Sequence, residues 1–347
     1  AATFVLIGNT IMEIRGMYFE YWLVLFSAWA SSNILGLLIS DSFKTVVTIY
    51  ILIPFLVIPQ IILSGIIVKF EKLNPRISSP ESIPWYGEII VARWAYEALA
   101  TYQFMENEYQ KKYYELDKLS SNASFKSDFL INELNNKLAF VESNFGDPLK
   151  AEKIAYNLDL VRNEIIKEEA YRKELKKEFK STIDLSFPRP ERLTIKRADL
   201  DVVKEAIKYL ATVRDFYSKL YKHIYNKKNE NKMNEDQDVT GEMERKYSNE
   251  SLEEFVTNSN EWQKIVEYKG KLIQKKDPIY LDPMNPLIKS HFYAPRKKFF
   301  GEYYKTFWVN ILVIWFSIIT LYIALYYRLL KKFLDFFENL EIGKKRK

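Results

Sequence analysis

Tyr21–Ser40 reads YWLVLFSAWASSNILGLLIS, Thr45–Val68 reads TVVTIYILIPFLVIPQIILSGIIV and Thr306–Tyr327 reads TFWVNILVIWFSIITLYIALYY, and none of the three holds a charged residue. A helix rises ~1.5 Å per residue, so about 20 apolar residues cross the hydrocarbon core of a bilayer. The core helix of a soluble protein seldom stays free of charge over such a length, and each run predicts a transmembrane helix. The mean hydropathy of the 347-residue chain, −0.22, conceals this split between apolar ends and a charged middle. Ala1–Met12 is also uncharged but too short to span, and it lacks the basic start of a signal peptide. It reads as the end of a further span that begins upstream.

Orientation follows from basic residues in short flanks. After Tyr327 come Arg328, Lys331, Lys332, Lys344, Lys345, Arg346 and Lys347 against Asp335, Glu338 and Glu341. This predicts a cytoplasmic C-terminus in a multi-pass protein of the cytoplasmic (inner) membrane, with residues 69–305 outside and the turn Ser40–Lys44 inside. Tyr21, Trp22, Phe299, Phe300, Tyr303, Tyr304 and Trp308 stand at the outer ends of spans, where amphipathic rings favour the headgroup zone.

The expected fold class is therefore an all-α membrane protein with three full transmembrane helices, the end of a fourth, a re-entrant helix and a helical extracytoplasmic insertion. Its parts are a membrane domain over 1–104, the insertion over 105–298, the last span over 299–327 and a cytoplasmic basic tail over 328–347. Within the insertion, Asp147-Pro148 is a helix-start signal, and Ile154, Leu158, Val161 and Ile165 keep helical stagger. The stripe lapses at Glu168 and Arg172 and resumes at Leu175 and Phe179. After Phe187-Pro188-Arg189-Pro190 a second stripe runs through Val203, Ala206, Leu210, Val213, Tyr217 and Leu220. Two such stripes predict an antiparallel helical hairpin over 147–225, with the longer arm roughly 50 Å long. The polar stretch 226–250 predicts a mobile segment. Ser251 with Glu254 resembles a capping box, and the Pro-rich run Asp277-Pro278, Asp282-Pro283, Asn285-Pro286 and Ala294-Pro295 predicts an extended return. Asn122-Ala-Ser124 and Asn249-Glu-Ser251 match the glycosylation sequon. In the tail, Leu329, Leu330, Phe333, Leu334, Phe337 and Leu340 oppose Lys331, Lys332, Asp335 and Glu338. This fits either an amphipathic helix on the inner leaflet or a plain extension of the last span.

Several chemistries are absent from the sequence. With no cysteine there is no disulfide and no thiolate site, and His223 and His291 stand far apart without ligand spacing. A net charge of +6 spread over 51 basic and 45 acidic residues does not suggest a nucleic-acid partner. There is no Gly-rich phosphate loop ending in Lys-Ser or Lys-Thr, and no Ser/His/Asp constellation. The chain itself is expected not to be an enzyme and to bind no cofactor.

Ser64-Gly65-Ile66-Ile67-Val68, then Ile83-Pro84-Trp85-Tyr86, then Arg93-Trp94-Ala95-Tyr96-Glu97-Ala98-Leu99 occur in that order, after Asn33-Ile-Leu-Gly36-Leu-Leu-Ile-Ser40. This order resembles the membrane domain of G-subfamily ATP-binding cassette exporters, the white and pleiotropic-drug-resistance type, over about Ala1–Asn107 and Phe307–Tyr327. The resemblance implies a homodimer around a central cavity, in a lipid bilayer. It also implies ATP and Mg on a nucleotide-binding domain, in the same polypeptide or a separate subunit, and an amphipathic or lipid-linked cargo. It makes Ile66 and Ile67 a hydrophobic plug between cavity and exit, where branched side chains exclude water. The alternative is plain packing against lipid or a neighbouring helix. Pro54 and Pro59 each remove a backbone donor and kink their helix, statically or as a hinge. Asn33 and Gln60 are candidate cavity residues or helix-packing groups. Arg93 and Glu97, four apart on the re-entrant helix, fit a structural ion pair or a relay of motion. The outer insertion exceeds what the resemblance leads one to expect. It reads as a lid or as an arm that recruits an extracytoplasmic protein partner, and in the second case the chain is a membrane-anchored scaffold.

Overall fold

In the computed structural model the runs at 21–40 and 306–327 each lie within one helix, while the run at 45–68 does not stay helical to its end. The structure describes the chain except residues 75, 180–184, 236, 284, 286 and 346–347, and describes no side chain at 176–179, 237 or 339–345. The expected packing of Phe179 and Leu340, the turn at Pro286 and the basic run Lys344–Lys347 lie outside the described residues.

The helices are α1 (Ala2–Ile11), α2 (Tyr18–Ser42), α3 (Val46–Ile62), α4 (Trp85–Ile89), α5 (Val91–Glu106), α6 (Gln110–Phe125), α7 (Ile131–Ser143), α8 (Ala151–Phe179), α9 (Leu200–Asn234), α10 (Gln237–Tyr247), α11 (Glu250–Thr257), α12 (Thr306–Tyr326) and α13 (Leu329–Lys345). Two antiparallel hairpins add β1 (Ile265–Tyr268) with β2 (Lys271–Gln274), and β3 (Arg296–Phe299) with β4 (Glu302–Lys305). The fold is thus predominantly helical. The extended return after Asp277 contains a strand pair that an all-α reading omits.

The chain forms two compact units, Ala1–Lys111 with Met243–Val256 and Asp282–Lys347, and Lys112–Glu242 with Thr257–Leu281. The expected insertion 105–298 therefore gives both of its ends to the first unit. In that unit α5 packs against α2 and α12, and α12 packs against α2. Ala95 and Ala98 let the helices approach, and Val24, Trp94, Phe307, Ile311, Ile314 and Ile318 close the core.

The second apolar run needs correction. Thr45 caps α3 by accepting from the Thr48 amide at 3.4 Å. Pro54 and Pro59 then withhold two amide donors, and the helix stops at Ile62 after 17 residues. Ser64 Oγ donates to the Ile61 carbonyl at 2.8 Å and accepts from the Ile66 amide at 3.3 Å, while Gly65 turns at φ +79°. Among the described residues two helices, Tyr18–Ser42 and Thr306–Tyr326, are long and apolar enough to cross a membrane, not three. Gly65 also meets the Phe70 ring, which Gly87 touches from α4, so two glycines admit one buried aromatic side chain.

The second unit has its own core. α6 and α7 are joined by a π-helical turn at Lys126–Leu130, and α7 packs against both α8 and α9. The two stripes predicted over 147–225 do form helices, but they share a third helix that the sequence reading left unassigned. Leu134, Leu138 and Val141 of α7 lie among Ile154, Leu158, Val161, Val203 and Val213. Asp147 accepts from the Leu149 amide at 2.9 Å, as the Asp-Pro start requires. Residues 226–234 continue α9, and α10 follows, where low apolar content predicted a mobile stretch. Asn249, not Ser251, caps α11, accepting from the Leu252 amide at 3.0 Å. Asn122 is buried and donates to the Lys118 and Tyr280 carbonyls, so its side chain serves the fold rather than a glycan.

The lapse at Glu168 and Arg172 is a buried polar chain. Tyr217 Oη donates to Glu168 Oε1 at 2.5 Å, Arg172 Nε lies 2.7 Å from the same oxygen, and Arg172 Nη2 donates to Tyr209 Oη at 2.5 Å. Lys126, on the π turn, lies 3.2 Å from the Tyr171 ring centroid and donates to Tyr217 Oη at 3.2 Å. Burial pulls the Lys126 ammonium down to about 7, with Glu168 pulling upward and Lys167 and Arg172 adding to the fall. Burial, reinforced by Glu168, pushes the Tyr217 phenol well up.

Two expectations follow. A side chain at Gly65 meets the Phe70 ring at 2.3 Å and a positive φ together. Gly65→Val should therefore cost about 2 kcal/mol or more, read as a lower thermal midpoint in detergent, while Gly8→Ala in α1, with open space around it, should not. Lys126 has a folded pKa below its unfolded value, so the unfolded chain holds the extra proton between about 7 and the ordinary lysine range. Native stability should rise with pH across that window and carry the full penalty below it. Lys126→Met should remove this slope in thermal midpoints measured across the window, and an unchanged slope would contradict the assignment.

Candidate functional site, a buried carboxylate hub

Arg93 and Glu97 are set four apart on α5, so one turn of helix brings their side chains together. Arg93 Nη1 donates to Glu97 Oε2 at 2.9 Å. Both residues are fully buried, at 0 % exposure, which in water-poor surroundings demands further partners. α4 supplies some of them. Arg93 Nε donates to the Gly87 carbonyl at 3.0 Å and Nη2 to Glu88 Oε2 at 2.5 Å, and the guanidinium stacks 3.6 Å over the Trp94 ring.

The remaining partners come from some 200 residues further along the chain. Lys297 on β3 is 1 % exposed, and its Nζ donates to the same Glu97 oxygen at 3.0 Å and to Ser290 Oγ at 3.0 Å. Asn310 on α12 donates from Nδ2 to that oxygen at 2.9 Å and to the Trp94 carbonyl at 3.0 Å. One carboxylate oxygen thus receives three donors. Arg93 and Lys297 are balanced by Glu97 and Glu88. Glu97 Oε1 and Asn310 Oδ1 are buried without a hydrogen-bond partner in the structure. Burial pushes the Glu88 carboxyl up, opposed by Arg93 and Lys297. Burial pulls the Lys297 ammonium down, opposed by Glu97.

Of the predicted residues, only Arg93 and Glu97 are brought into this cluster. Ile66 is half-buried and Ile67 is exposed beyond the end of α3. Pro54 and Pro59 are exposed on α3, Gln60 is half-buried, and Asn33 is exposed on α2, whereas Ser27 and Ser31 on α2 are buried. Lys297, Asn310 and Glu88 were missed. A lysine in the strongly basic run Arg296–Lys298 and an asparagine alone in an apolar span were the available signals. Among the described residues, no group of three or more His, Cys, Asp or Glu could hold a metal ion. The arrangement can hold the short helix α5 in register with α12 and β3. It offers no nucleophile and no exposed acid or base. No family model, curated protein or solved structure matches the chain.

Removing Glu97 leaves two buried cations facing one carboxylate, so Glu97→Gln should destabilise by about 3–5 kcal/mol. Lys297→Met alone should cost less, because Arg93 still neutralises Glu97. Combining the two should recover part of the Glu97→Gln loss in detergent thermal unfolding. A double variant no more stable than Glu97→Gln would show that the charges are not coupled.

Proposed function

We propose that the chain is the membrane part of an ATP-driven exporter of the G-subfamily type, moving an amphipathic or lipid-linked cargo out of the cytoplasm or inner leaflet. The observation that carries the membrane reading is the two-sidedness of the apolar helices. α12 buries Phe307, Ile311, Ile314 and Ile318 and leaves Leu312, Phe316, Ile319 and Ile323 exposed on its other side. α3 holds no charged residue and no buried one. Apolar surface of this extent is tolerated where lipid or another protomer covers it, not in water. The resemblance in Ser64–Val68 and Arg93–Leu99 supports the exporter assignment within that reading.

On this proposal two copies enclose a cavity, and a nucleotide-binding domain elsewhere holds ATP and Mg and closes the pair. Ile66 and Ile67 form the apolar constriction past which cargo leaves. Pro54 and Pro59 give α3 its bend, and Asn33 and Gln60 are available to cargo or to a neighbouring helix. The Glu97 hub ties α5 to α12, so movement of one is passed to the other. The topology places residues 69–305 outside and the C-terminus in the cytoplasm.

A second reading has one observation in its favour. Residues 112–242 with 257–281 form a compact unit with their own core, as a recruiting arm would. In that case the chain is a membrane-anchored scaffold for an extracytoplasmic partner. Leu149 and Trp262 are each 94 % exposed on this unit and can be changed without entering its core.

Mass spectrometry of what co-purifies from mildly solubilised native membranes should yield a stoichiometric ATP-binding cassette, in the same polypeptide or beside it. In the assembled transporter, Ile66→Ala with Ile67→Ala should raise basal ATPase activity and uncouple it from transport. Unchanged transport and ATPase would reject the plug. If Leu149→Asp with Trp262→Asp instead abolishes an envelope complex while ATPase stays intact, the scaffold reading takes precedence.

A further inference from the structure

α13 begins where α12 ends but does not continue it. Arg328, between them, has φ +51°, a left-handed conformation that terminates a helix. The plain extension of the last span is therefore not what forms. One side of α13 is held against the turn between α2 and α3. Lys44 Nζ donates to Glu338 Oε2 at 3.1 Å, and Arg328 Nε lies 3.6 Å from Asp41 Oδ2. Glu338 raises the pKa of the Lys44 ammonium by accepting this bond.

The other side carries Leu329, Phe333, Phe336 and Phe337, all exposed. At 100° per residue they share one half of the helix, away from Glu338. Phe337 meets Phe333 with ring centroids 4.7 Å apart and Phe336 at 5.8 Å, so the rings form one continuous apolar surface. Charge is divided in the same way. The acids Asp41 and Glu338 are engaged in the ion pairs to the α2–α3 turn, whereas the same stretch of sequence adds Lys331 and Lys332 and ends Lys344-Lys345-Arg346-Lys347.

We propose that α13 is an interfacial helix that lies on an anionic membrane leaflet, its phenylalanines among the acyl chains and its lysines at the headgroups, anchored to the α2–α3 turn through Lys44 and Arg328. The inference rests on the membrane reading of α12. Two observations select this occupant over a second copy of the chain. The apolar face starts at the end of a helix long and apolar enough to span, which puts it at the depth of the interface. The flanking basic residues complement anionic lipid, whereas they would repel the identical residues of another α13.

The chain has no cysteine, so a single introduced thiol can carry an environment-sensitive fluorophore. The full chain is labelled at Phe336→Cys or, in the middle of α12, at Ile319→Cys. It is then reconstituted in phosphatidylcholine vesicles with or without phosphatidylglycerol. Emission is quenched either by a nitroxide lipid or by aqueous iodide. With phosphatidylglycerol present, the Phe336 label should lose most of its emission to the nitroxide and little to iodide. Omitting the anionic lipid, or adding Lys331→Gln and Lys332→Gln, should move the balance towards iodide by about fivefold per charge removed. Iodide access at Phe336 in both lipid mixtures, with Ile319 still quenched by the nitroxide, would overturn the inference and leave the membrane reading standing. Protection at Phe336 from both quenchers would overturn it in favour of a protein cover. Nitroxide quenching that ignores lipid charge would overturn the anionic requirement. Failure of the nitroxide to reach Ile319 would overturn the membrane reading and this inference with it.

Discussion

A carboxylate with no exposure to water must be given as much positive charge and as many donors as bulk solvent would have supplied, and Glu97 receives them from three directions. Arg93 comes from its own helix, Lys297 from a strand and Asn310 from the last apolar helix, all on one oxygen. The cluster fixes where α5 sits, because α4, β3 and α12 each contribute a partner that cannot be withdrawn without stranding a buried charge. The apolar packing of Ala95, Ala98, Phe307 and Ile311 is compatible with small sliding movements. The ion cluster is not, so register between α5 and α12 is set by charge and tightened by packing.

The second unit uses the same device with milder stakes. Glu168 and Arg172 interrupt an otherwise apolar stripe on α8, and tyrosines from α9 answer both. A π-helical turn brings Lys126 onto the Tyr171 ring and the Tyr217 hydroxyl, adding a cation to the chain. π turns are frequent at functional sites. Here the turn lets one continuous helix present Phe125 before it and Leu130 after it to the same core. Polar groups of this kind cost stability relative to an apolar core, and they specify which helix faces meet.

Around these two interiors the apolar helices contrast with one another. α2 and α12 each have an inward face that packs on α5, and α12 has an outward apolar stripe as well. α3 has no inward face at all. Its start is fixed by the Thr45 cap and its end by Ser64 and Gly65, where the chain folds back so that Phe70 rests on two glycines. A helix defined only at its ends, with two prolines between, takes its environment from what surrounds the protomer. This makes it the natural moving part of an exporter, if exporter it is.

The sequence by itself determined the features that depend on neighbours a few residues apart. Uncharged length gave α2 and α12, i,i+4 spacing gave the Arg93–Glu97 pair, Asp147-Pro148 gave the start of α8, and periodicity gave the inner faces of α8 and α9. The tertiary structure alone decided what depends on distant partners. Lys297 and Asn310 lie about 200 residues from the carboxylate they serve, and nothing local distinguishes them from a surface lysine or a lone polar residue in a span. Glu168 and Arg172 looked like a lapse because their tyrosine partners stand on another helix. Hydropathy could not end α3 at Ile62, because Leu63–Val68 are as apolar as the helix before them and only the Ser64–Gly65 turn stops it. The break at Arg328 was equally hidden, since a left-handed residue leaves no trace in hydrophobic period. Local patterns record which face of an element is buried. They cannot record what buries it, because packing brings those groups together without regard to their separation along the chain.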